Sequence, residues 1–99
     1  MLDLQPEDLH AVRAILAAAV PQCEVRAYGS RVTGTARPGS DLDLAIVGTA
    51  PIDPLVLARL GSVFEESDLP FSIDLLDWNA VPDSFRNAIA RRYEVISEP

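Results

Sequence analysis

The apolar positions of the chain fall into two rhythms. Leu9, Val12, Leu16, Ala19 and Val20 recur every three or four residues, which gathers them on one face of a helix. Pro6 suits the first turn of that helix and Pro21 stops it, so the spacing predicts a helix over 6–19. Residues 25–28 form a short strand ending at Gly29. Residues 41–47 alternate and then become wholly apolar, as a central strand does. Asp53-Pro54 is an N-cap followed by a proline at the first helical position, and Val56, Leu60, Val63 and Phe64 carry the helix to about residue 67. A third strand is expected over 71–76 and a last short helix over 84–92, carrying Phe85 and Ile89. The stretch 30–40 holds Gly34, Pro38 and Gly39 and reads as a loop with one helical turn near its start. The expected fold class is α+β, a small mixed sheet flanked by helices, in one domain over 1–99.

The pattern has two interruptions. Asp41 and Asp43 flank Leu42 at the mouth of an apolar strand, and Asp74 sits inside another, Ile73-Asp74-Leu75-Leu76. Aspartate is a poor strand former. Residues two apart in a strand share a face, so Asp41 and Asp43 project together while Leu42 and Leu44 face the core. If the strand bearing Asp74 lies alongside, three carboxylates converge, and their repulsion and desolvation would be costly. A divalent cation removes both costs, and hard oxygen ligands with open positions suit Mg²⁺ bound together with substrate phosphates. Gly29-Ser30 ends the preceding strand: glycine lets the backbone approach an oxygen closely, and the amides beyond it with the Ser30 hydroxyl can donate to phosphate. Asp-x-Asp alone is common in surface turns. Combined with Gly-Ser at this spacing and with an in-strand Asp74, it points to metal-assisted displacement at phosphorus.

Composition narrows the field further. A formal charge of −7 without a single lysine disfavours broad nucleic-acid binding and excludes P-loop and Schiff-base lysines. Cys23 is the lone cysteine, so neither an internal disulfide nor a cysteine-rich zinc site is available. His10, the lone histidine, is expected on a solvated helix position. No apolar run approaches a membrane span, and Asp3, Glu7 and Asp8 are unlike a signal peptide, so no membrane association and a cytoplasmic location are expected.

The stretches YGSRVTGTARPGSDLDLAIVG and IDLLDW resemble the nucleotidyltransferase superfamily that includes DNA polymerase beta, and most of all its minimal nucleotidyltransferases. The resemblance runs from the first helix to Ile96. It implies Mg²⁺-dependent transfer of a nucleoside monophosphate from an NTP such as ATP to a hydroxyl, with one or two metal ions. Gly29 and Ser30 match the phosphate-binding turn, Asp41 and Asp43 the metal pair, and Asp74 the third carboxylate that also deprotonates the acceptor. Asp77, three residues on, is the rival for that last role and should face the other way. Arg31 either neutralises triphosphate charge or is a solvated loop residue; Ser40 either bonds an acid or starts the strand. Trp78 is expected at an edge or in the core, and Arg91-Arg92 as a favourable pair at a helix C-terminus.

Larger members of the superfamily carry acceptor-holding domains, and the core uses all of this sequence. The resemblance therefore implies a partner: a small helical HEPN-type toxin encoded by an adjacent gene, forming a hetero-oligomer and AMPylated on tyrosine by its antitoxin. The alternative from another class is a non-catalytic module that inhibits its partner by occlusion. Transfer to a small molecule is disfavoured.

Overall fold

The computed structural model describes residues 2–99. The elements run α1 (Pro6–Ala19), β1 (Glu24–Tyr28), α2 (Ser30–Thr33), β2 (Leu42–Val47), α3 (Pro54–Glu65), β3 (Ile73–Asp77), a 3₁₀ turn (Trp78–Ala80), α4 (Asp83–Ala90) and β4 (Glu94–Ser97). The four strands form one mixed sheet in the order β3-β2-β1-β4. β1 pairs antiparallel with β2 and β4, and β2 pairs parallel with β3.

Period-2 alternation sorts the strands into two faces. Val25, Ala27, Leu42, Leu44 and Ile46 are buried against Val12, Leu16 and Val20 of α1 and Leu60 and Phe64 of α3. Asp43 pairs with Tyr28 on one side and with Asp74 on the other, so these three residues share the opposite face. Both long helices begin as their sequences require. Pro6 and Pro54 sit in the first turns, and Asp53 caps α3 by accepting from the Leu55 amide at 2.9 Å.

Several boundaries differ from the sequence reading. β1 starts at Glu24, β2 starts at Leu42 and leaves Asp41 just outside it, and β3 is displaced to Ile73–Asp77. α3 ends at Glu65, α4 starts at Asp83 and ends at Ala90, and Val63 of α3 is exposed rather than in the core. β4 has no counterpart in the expected order. Its four residues bury only Ile96 and carry too little pattern to announce a strand; it exists because β1 offers an open edge. The Arg13 side chain of α1 fastens β4 by donating to the Ile96 carbonyl at 2.8 Å. Among the described residues no helix is long and apolar enough to cross a membrane.

Candidate functional site

β1 delivers Tyr28 and then turns sharply at Gly29, whose φ of 80° lies in the left-handed region. The Val32 and Thr33 amides donate back to the Gly29 carbonyl, which makes the short α2, and Gly34 closes it with φ 86°. A side chain at Gly29 would do more than strain the backbone. Its Cβ would overlap Asp43 Oδ2 and stand 3.2 Å from Asp43 Cγ. The Gly-Ser turn and the second aspartate of Asp-x-Asp are therefore in direct contact.

The parallel register sets Asp74 beside Asp43 on the adjoining strand. Asp43 is half-buried, and its pKa is raised first by burial, then by the Asp74 and Asp41 charges. Tyr28 on the other side is pushed up to about 12, again by burial first and then by Asp43 and Asp74. Asp41 lies before the regular pleat and is exposed, so the two-residue alternation does not hold it flush with Asp43. Among the described residues no group of three His, Cys, Asp or Glu side chains is gathered closely enough to enclose a metal ion alone. Of the three carboxylates expected to converge, Asp43 and the exposed Asp74 are thus register partners on neighbouring strands, and Asp41 stands just outside the strand.

Asp77 faces away, paired with Ile46 of the core face. It is buried, and its two carboxylate oxygens accept from the Ile52 amide at 2.8 Å and the Asn79 amide at 3.0 Å. It pins the loop before α3 to the 3₁₀ turn. Asp77→Asn replaces one of these acceptors by an NH₂ group that opposes an amide donor. The expected cost is about 1–3 kcal/mol, or roughly 4–8 °C in Tm per kcal/mol, with no loss in chemistry per folded molecule. A melting curve alongside an activity assay checks this.

Arg31 is buried, not solvated. Its Nε and Nη2 donate to the Ser40 carbonyl at 2.9 and 2.8 Å, its Nη1 to the Asp3 carbonyl at 2.9 Å, and its guanidinium lies 4.5 Å from the Phe71 ring centroid. It anchors the loop that leads into Asp41. Ser40 closes a turn, accepting from the Arg37 amide at 2.8 Å, and touches no acid. Trp78 is half-buried, with Arg26 held 4.8 Å from its ring and 4.5 Å from that of Tyr93. The sequence does not single out Tyr28 as a site residue. Its place opposite Asp43 is a matter of register, which the strand pattern alone does not supply.

The family model for polymerase beta nucleotidyltransferases matches residues 23–99, and so covers every element from β1 onward. The chain belongs to this nucleotidyltransferase family. A Haemophilus influenzae relative named "Probable protein adenylyltransferase MntA" is 48% identical over 97 residues, spanning 98% of this chain and 85% of the relative. Two solved structures share the fold. A toxin–antitoxin complex with AMP-PNP aligns at a TM-score of 0.76 and 19% identity, over 96% of this chain and 75% of the matched one. A Shewanella oneidensis MNT antitoxin bound to its tri-AMPylated HEPN toxin aligns at 0.74 and 16% identity, over 97% and 74%.

Proposed function

We propose that this nucleotidyltransferase moves AMP from ATP to a tyrosine hydroxyl of a small helical HEPN-type partner and acts as that partner's antitoxin. The observation that carries the reading is the register that sets Asp74 directly beside Asp43, with the Gly29 turn against the other side of the same carboxylate. The acceptor hydroxyl and the leaving pyrophosphate of an in-line displacement need such opposed flanks.

The donors fit a hard divalent cation: they are carboxylates only, and the pKa of Asp43 is raised first by burial and then by the charges of Asp74 and Asp41. Asp41, Asp43 and Asp74 would hold Mg²⁺, with phosphate oxygens of the nucleotide completing the shell that the carboxylates leave open. When bound, the ion supplies charge neutralisation for the triphosphate and for the attacking oxygen. Asp74 takes the proton from the tyrosine hydroxyl, whose oxygen forms a bond to the α-phosphorus as the α–β phosphoanhydride bond breaks. The Gly29-Ser30 turn receives the departing pyrophosphate. Tyr28 lies on that leaving side, so it bounds the nucleotide and is no acceptor.

The partner and acceptor rest on relatives: the MntA protein is named an adenylyltransferase, and the Shewanella complex holds an AMPylated HEPN toxin. Asp74→Asn separates transfer from occlusion. It should retain Mg²⁺-ATP binding within about tenfold in calorimetry, because it removes one ligand, and should lose transfer by on the order of 10²–10⁴-fold. Normal transfer by this variant would remove Asp74 from the mechanism.

A further inference from the structure

A chain of net charge −7 has to accept a triphosphate, and Asp41, Asp43, Asp74 and the Gly29-Ser30 turn bring no protein cation to its leaving end. Arg31 cannot reach it without giving up the bonds to Ser40 and Asp3 that hold its loop. Arg13 donates to Ile96, Arg26 pairs with Glu24 between two aromatic rings, and Arg86 pairs with Asp83. Among the described residues, four arginines show no such contacts: Arg37, Arg59, Arg91 and Arg92. Among the described residues, Arg92 is the one of these four that shares a cavity with the Gly29 turn.

That cavity is a cleft of about 280 Å³ with Tyr28, Gly29 and Thr33 on one wall and Phe85, Ile89 and Arg92 on the other. The local chain explains the placement. α4 ends at Ala90, the Arg92 amide closes a last turn on the Ile89 carbonyl at 3.1 Å, and Tyr93 is then drawn onto Arg26. Arg91 and Arg92 are both exposed, and of the two it is Arg92 that lines the cleft with the Gly29 turn.

Resting on the proposed nucleotidyl transfer, we infer that Arg92 binds the β- and γ-phosphates of the nucleoside triphosphate from across this cleft and holds the pyrophosphate as it leaves. Its planar fork suits two phosphate oxygens. The contact therefore depends on the part of the nucleotide that departs and not on the part that is transferred.

The test is calorimetric titration of the full chain, in Mg²⁺ and without any partner, using ATP, inorganic pyrophosphate and AMP as probes. Arg92→Ala should weaken ATP and pyrophosphate by about tenfold or more and leave AMP unchanged. Arg92→Lys should fall between, and Arg91→Ala should match wild type; thermal melts confirm that each variant is folded. Unchanged ATP affinity in folded Arg92→Ala overturns the inference, as does a parallel loss of AMP. If wild type binds ATP through Arg92 but never transfers AMP, the phosphate contact stands and the transfer reading falls.

Discussion

Asp43→Asn is expected to abolish nucleotidyl transfer, by on the order of 10³-fold or more, while raising the melting temperature of the metal-free protein. The two effects have one cause. Asp43 lies between Asp74 and the approach of Asp41 and is partly desolvated, so its ionised form is costly until a cation arrives. Its pKa in the folded chain is above the unfolded value, so the native state binds the proton more readily. The penalty is then fully present at neutral pH and disappears as pH falls through the folded pKa toward the usual value of 3.8. In chelator, the stability gain of Asp43→Asn should be largest near pH 7 and shrink on acidification. Adding Mg²⁺ should stabilise wild type and not the variant. A variant no more stable than wild type at pH 7 would mean that the carboxylates do not repel as described.

Gly29→Ala should be nearly as damaging for transfer and, unlike Asp43→Asn, should destabilise the fold. The left-handed φ costs about 1–3 kcal/mol for a residue with a Cβ. The new methyl also overlaps the Asp43 carboxylate, which must leave its place against the Gly29 turn. Mg²⁺-ATP affinity should fall by about tenfold or more, since turn and carboxylate both move. Gly29→Ala in an Asp43→Ala background isolates the two contributions. Asp43 Cβ would lie 3.5 Å from the added methyl, an ordinary contact, so the clash is relieved and the φ strain remains. The second substitution should therefore cost less stability there than alone, a coupling that melts of the four proteins would measure.

Much of this arrangement is legible in the sequence because its signals are local. The apolar spacing of α1 and the Asp-Pro start of α3 mark helices directly, and Val12, Leu16, Leu60 and Phe64 are buried as that spacing requires. Asp41, Asp43 and Asp74 stand out because acids at the mouth of or inside apolar strands oppose propensity, and Gly29-Ser30 because a glycine turn ends the preceding strand. What the sequence does not carry depends on partners far along the chain. β4 is a strand because β1 has a free edge, and Arg31 is buried because Asp3 and Ser40 turn carbonyls toward it. The role of Asp77 as an acceptor for Ile52 and Asn79 needs the loop geometry, although its facing away from Asp74 follows from the strand period. Arg92 has the same limitation: Arg91-Arg92 reads as a helix-end pair until the cleft against Gly29 is seen.

Transfer of AMP to a partner protein at these carboxylates is read out by intact-mass spectrometry of that partner. The chain is mixed with the proposed HEPN-type partner, ATP and Mg²⁺, and the partner is weighed. One or more added AMP units are expected on partner tyrosines, lost when those tyrosines become phenylalanine and absent when Asp43→Asn replaces wild type. A tight complex whose partner never gains AMP would contradict it and leave inhibition by occlusion as the explanation.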